Sequence, residues 1–141
     1  MQYASRAAGL PTNAEVRRWT RAALAEAAAR MPVALRELTI RYVDRPEART
    51  LNGAFRGKDY AANVLTFVLS AEAADVAICG PVVGEEARRQ HKSRTDHHAH
   101  LVVHGVLHAL GYDHATEEQA AVMEALEVAA LARLGVKNPY L

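Results

Sequence analysis

The chain has 141 residues, half of them hydrophobic, and a formal net charge of +1. That is enough for one domain with its own core, and no uncharged apolar run approaches the length of a membrane span. Met1 to Leu10 lacks the apolar stretch of a secretory signal, and Cys79 is the only cysteine, so no intrachain disulfide forms and a reducing cytoplasm is the expected compartment.

Residues 12–30 read as an Ala-rich helix capped by Thr12 or Asn13, with Val16, Trp19, Ala23, Leu24 and Ala27 as its apolar stripe, ended before Pro32. Leu35, Leu38, Ile40 and Tyr42 alternate as a strand does over 35–43. Asp44-Arg45-Pro46-Glu47 predicts a capping box, with Asp44 as the cap, opening a helix to about Ala54. The polar turn Arg56-Gly57-Lys58-Asp59 leads to a β-branched and aromatic strand over 63–69. A second short strand runs from Asp75 to Cys79, and a connection too short for a crossover helix makes the pair an antiparallel hairpin. Gly80-Pro81 opens a helix to about 91. A further helix over about 95–110, capped by Thr95 or Asp96 and ended by Gly111, is apolar nearly all round and therefore central. Thr116-Glu117-Glu118-Gln119 begins the last helix, which runs to about Leu134. Helices around a small mixed sheet define an α+β domain, with residues 1–141 as its single unit.

All seven histidines lie between His91 and His114. His104 and His108 are one helical turn apart and leave the same helix face. Gly111 lets the chain turn back in a left-handed conformation and return His114 to that point. Three neutral nitrogens with one open position suit a catalytic zinc, whereas structural zinc sites close with four protein ligands and commonly include cysteine. Cys79 sits on an apolar strand and reads as a core residue. The spacing is that of the H-E-x-x-H-x-x-G-x-x-H metalloproteases, but Gly105 stands where they place the glutamate that serves as general base. Peptide hydrolysis by that route is disfavoured. A metal also polarises phosphoryl oxygens, and attack on a phosphate builds negative charge that an arginine would stabilise.

Arg56 meets that requirement in Leu51-Asn52-Gly53-Ala54-Phe55-Arg56-Gly57-Lys58-Asp59, followed by Asn63-Val64-Leu65-Thr66-Phe67. Here the sequence resembles the YbeY family of bacterial metal-dependent single-strand endoribonucleases, whose pattern runs approximately L-N-x-x-Y-R-x-K-D-x-P-T-[DN]-V-L-S-F-P, then G-D-[IV]-x-I-C, then H-G-x-L-H-x-x-G-Y-D-H. The last segment matches throughout, Asp75 to Cys79 matches the middle one, and Asn138-Pro139-Tyr140 is similar to the family's D-P-Y ending. Phe55 replaces the usual tyrosine, Tyr60-Ala61-Ala62 replaces x-P-T, Thr66 stands for serine, Val68 for proline and Ala74 for glycine. The resemblance implies a zincin-like fold with a shortened N-terminal edge strand. It implies His104, His108 and His114 as ligands of one divalent ion, zinc by its nitrogen-only ligation, and Arg56 as the catalytic arginine. The implied activity is cleavage of single-stranded RNA, with ribosomal RNA of the small subunit as the substrate and no membrane or DNA partner. Water and a ribose 2′-hydroxyl both stand as nucleophiles.

Other residues carry two readings each. Asp113 either orients a histidine or assists proton transfer, or else it shapes the turn after Gly111. Lys58 is a phosphate contact or, more commonly, a solvated lysine. His97, His98 and His100 are expected at the surface or lining the cleft rather than ligating. Arg88, Arg89, Lys92 and Arg94 form either a basic strip beside the site or an ordinary polar face. The division of charge is equally open: residues 1–58 hold eleven Lys/Arg against five Asp/Glu and residues 59–141 six against eleven, which suits a polyanion-binding face but is usual for solvated helices. Two rival functions are a metalloprotease with its base elsewhere and a non-catalytic, zinc-stabilised ribosome-binding module.

Overall fold

The computed structural model describes all of residues 1–141. In chain order the elements are β1 (Gln2–Ala4), α1 (Asn13–Ala28), β2 (Glu37–Val43), α2 (Arg45–Arg56), β3 (Val64–Val68), β4 (Ala73–Cys79), α3 (Gly80–Arg89), α4 (Arg94–Ala109) and α5 (Glu117–Arg133). The four strands form one sheet in the order β1-β2-β4-β3. β1, β2 and β4 are parallel, while β3 folds back antiparallel on β4 with Val64 opposite Ile78 and Val68 opposite Ala74. This is the expected α+β arrangement, with β3 as an open edge. β1 is three residues long.

Alternation along the strands sorts two apolar layers. Ile40 and Tyr42 of β2 and Val76 and Ile78 of β4 join Trp19, Val102, Val106, Leu107 and Leu131 in the main core. Val43 and Cys79, one residue further along each strand, turn to the other side and meet Ala48 of α2. Cys79 is thus a core residue, fully buried, and burial raises its thiol above the usual range. α4 touches β3 and β4 and is flanked by α1, α3 and α5. That central position is why its Leu101, Val102, Val103, Val106 and Leu107 leave almost no surface exposed.

Local chemistry departs from the sequence reading in two caps. Asp44 does precede α2 in extended backbone, but its side chain makes no cap bond to the helix. Its carboxylate instead accepts from the Ser5 hydroxyl and the Arg6 N–H, pinning the segment after β1, and Glu47 binds Arg41 rather than the backbone. A carboxylate offered a charged or distant partner gives up the weaker local bond. The cap of α4 is Ser93, whose Oγ accepts from the Asp96 N–H at 3.2 Å, not Thr95 or Asp96. Thr12 and Glu15 do form a reciprocal capping box on α1.

Candidate functional site

The C-terminal end of α4 builds the histidine cluster. The Gly111 N–H bonds the His108 carbonyl and the Tyr112 N–H bonds the Leu107 carbonyl, with Gly111 at φ +100°. This pair of bonds closes the helix through a left-handed residue that favours glycine. The turn does two things at once. It delivers the Tyr112 carbonyl to His108 Nδ1 at 2.7 Å, and it carries His114 back toward the helix. The three imidazole centroids then stand 6.1 Å (His104–His108), 5.6 Å (His104–His114) and 6.0 Å (His108–His114) apart.

The hydrogen bonds decide which ring nitrogens are available. A carbonyl oxygen only accepts, so His108 Nδ1 carries the proton and Nε2 the lone pair. His104 Nδ1 faces Glu127 Oε1 at 2.9 Å, and a carboxylate fixes the same tautomer. Carboxylate or carbonyl partners on the far ring nitrogen are the usual support of a metal-ligating histidine. Nitrogens ~2.1 Å from a common zinc would put the ring centroids about 5 Å apart. As the rings stand, no three metal-binding side chains are gathered to ligand distance. Reaching that distance takes a small inward shift of all three rings, of which His114, 58% exposed, is the least enclosed. The donor set therefore fits a nitrogen-ligated divalent ion.

Glu127, on α5, was not singled out from the sequence. Its carboxylate, 1% exposed, accepts from His104 Nδ1, from His100 Nε2 at 3.1 Å and from the Tyr140 hydroxyl at 2.6 Å. Burial pushes this carboxyl up, but the three donors outweigh it and hold it down at about 2. A signal was present: Glu127 is four residues from both Met123 and Leu131 and so shares their buried face, where an unpaired acid is costly.

Arg56 arrives from the other direction. It ends α2, and Gly57 at φ +65° turns the chain immediately after it. Asn52, buried one turn earlier, donates from Nδ2 to the Tyr60 carbonyl at 2.8 Å and so ties the following loop to the helix. Arg41, Arg45 and Arg49 are each paired with a carboxylate, whereas Arg56 is exposed and makes no such pair. One cleft of about 710 Å³ is lined by Phe55, Arg56, residues 63–69, His104, His108, Asp113 and His114. Arg56, His104, His108 and His114 thus converge on it.

Gly105 has a structural cause. A Cβ placed on it would stand 2.7 Å from Val76 Cγ1 and 3.3 Å from Val64 Cγ2. The bare backbone lets β3 lie against α4, where the Thr66 hydroxyl donates to the Gly105 carbonyl at 3.3 Å. A glutamate at this position has no room.

The other candidates sort differently from expectation. His97 and His98 are buried, and His100 nearly so; none lines the cleft. Each has a polar partner instead: Glu86 for His97, Tyr42 for His98, and Glu127 for His100. Buried imidazoles persist because each is hydrogen-bonded. Lys58, Arg88, Arg89, Lys92 and Arg94 lie outside the cleft lining. Asp113 lines it, and its Oδ1 accepts from the His114 N–H at 2.7 Å, so it both shapes the turn and stands beside the third histidine.

The arrangement defines a class: an α+β protein whose central helix and a returning loop gather three histidines beneath an edge strand, with an unpaired arginine in the same cleft. The profile of the endoribonuclease YbeY family matches residues 3–135, and the chain belongs to that family. It is 51% identical over 142 residues to an endoribonuclease YbeY of Alkalilimnicola ehrlichii, covering 94% of this chain and 84% of that one. It is 49% identical over 148 residues to one of Bordetella avium, covering 100% and 91%. Its fold is similar to the solution structure of TM1509 from Thermotoga maritima, with a TM-score of 0.63 at 21% identity over 96% of this chain and 92% of the other.

Proposed function

We propose that this endoribonuclease is zinc-dependent, cleaves single-stranded RNA, and acts in the cytoplasm on ribosomal RNA of the small subunit. The observation that carries the reading is the convergence of His104, His108, His114 and the unpaired Arg56 on one cleft. His104, His108 and His114 would hold the ion. When bound, it supplies Lewis-acid stabilisation of charge on a phosphoryl oxygen and activation of the nucleophile.

The chain's own groups do the rest. Glu127 and the Tyr112 carbonyl hold the Nδ1 protons of His104 and His108, leaving each Nε2 lone pair turned to its task. Arg56 binds the scissile phosphate, where a planar fork of donors matches two phosphate oxygens and meets the charge that grows as the bond breaks. Asp113 is the carboxylate of the cleft lining and would be the group to take a proton there. The protease route with its glutamate base at position 105 loses support because packing leaves no room for that side chain.

The test combines zinc-loaded protein with a single-stranded oligoribonucleotide, a duplex of the same sequence, and the Arg56→Ala and His114→Ala variants. Losing one charge-stabilising donor costs roughly 10²–10³-fold in rate, so Arg56→Ala should cleave that much more slowly with its zinc content intact. His114→Ala should lose zinc as well as activity. Cleavage unchanged in both variants would sink the proposal, and equal zinc in His114→Ala would remove that residue from the ligand set.

A further inference from the structure

The cleft has an apolar side that phosphate chemistry does not use. Phe55 is 67% exposed, Val68 61% and Leu69 64%. All three line the cleft with Phe67, and the Phe55 and Phe67 rings lie 4.7 Å apart, tilted by 57°. Single exposed apolar residues are ordinary. Here, however, an aromatic pair and two aliphatic residues share the wall of the cleft that holds Arg56, and Phe55 directly precedes Arg56 on the last turn of α2. A group next to whatever Arg56 grips therefore lies in the same cleft as the Phe55 ring.

Cation and ring together select the occupant. Sites for single-stranded nucleic acid combine a positive group on the backbone with aromatic rings on which bases stack. A duplex keeps its base faces stacked inside and offers none to a protein ring. We infer that Phe55, backed by the tilted ring of Phe67, is a stacking platform for the unpaired nucleobase next to the phosphate held by Arg56, and that it restricts the cleft to single strands. This rests on the RNA-cleaving reading above. It adds a site for a nucleobase, read through its π-face and therefore tolerant of base identity.

The test is a mutant cycle between protein and RNA. Zinc-loaded wild type, Phe55→Ala, Phe55→Leu, Phe55→Trp and Phe67→Ala are assayed on one single-stranded oligoribonucleotide and on copies carrying one abasic ribose, walked through each position around the cut. Stacking on one ring amounts to roughly ten-fold or more. Phe55→Ala should accordingly lower kcat/KM about ten-fold on the intact strand and almost not at all on the strand abasic at the position that stacks. Phe55→Trp should restore cleavage, and Phe55→Leu, which keeps apolar bulk without a π-face, should not. Melting temperatures within a degree or two of wild type confirm that the exposed substitutions leave the fold intact.

Losses that simply multiply at every abasic position would overturn the platform. So would Phe55→Leu equal to wild type, which would show that apolar bulk suffices and that no base stacks on the ring. Wild-type cleavage of RNA with Phe55→Ala unimpaired defeats the platform alone; no cleavage by wild type defeats the RNA reading and the platform with it.

Discussion

Gly105 shows how much one missing side chain arranges. Its hydrogen lies where a methyl would press into Val76, a β-branched residue with no exposed surface and little freedom to move. Alanine favours a helix interior over glycine by about 1 kcal/mol, whereas overpacking a full core costs about 1–3 kcal/mol. With a 2.7 Å approach the second effect wins. Gly105→Ala should therefore lower stability by up to about 2 kcal/mol, read as a shift of the denaturant midpoint at unchanged slope. A stabilised variant would show that the strand yields and that the glycine is there for another reason. Gly105→Glu should fail more severely and gain no peptidase activity, because the carboxylate can enter only by driving β3 and β4 off α4.

At the scale of elements, the site depends on α5 and on the tail that follows it. α4 presents His104, but Glu127 of α5 holds that ring's far nitrogen, and Tyr140 holds Glu127. Removing such an orienting partner typically costs 10–100-fold in metal affinity. Glu127→Gln should weaken zinc binding by about that factor in competition with a coloured chelator, and Tyr140→Phe should weaken it less, since two donors to the carboxylate remain. Unaltered affinity in Glu127→Gln would reduce Glu127 to a packing residue. This layer was the least legible in the sequence. The histidine spacing, the returning glycine and the strand hairpin could all be read, because helical period and turn chemistry are local. Glu127 reaches His104 across 23 positions, Asp44 was drawn from its own helix by Ser5, and His97 and His98 went inside because carboxylate and phenol partners waited there. Long-range partners leave only the faint local trace of a polar residue on an apolar face.

For the molecule as a whole, His98 sets a limit on acid tolerance. It is 1% exposed between α4 and β2, with Nδ1 3.3 Å from the Tyr42 hydroxyl. Burial, aided by the charges of His97 and Arg94 and opposed by Glu15, lowers its pKa from 6.5 to about 4. Above pH 6.5 the ring is neutral whether the chain is folded or not, and its contribution is complete. As pH falls from 6.5 toward 4, the unfolded chain takes up a proton that the native fold refuses, so stability drops by about 1.4 kcal/mol per pH unit. The accumulated loss is about 3 kcal/mol, and below pH 4 both states are protonated and this loss stops growing. Glu127 and Glu86 are held below the usual carboxylate value of 4.5, so their contributions fade only beneath that pH and fall outside most of the window. Denaturant unfolding at steps from pH 8 to pH 4.5 separates the effects. Wild type should lose close to one proton's worth of slope more than His98→Asn, which keeps a polar group near Tyr42 but cannot titrate. The variant starts less stable and stays flatter, so the two curves converge as the solution becomes acidic; parallel curves would mean that His98 admits its proton without unfolding the core.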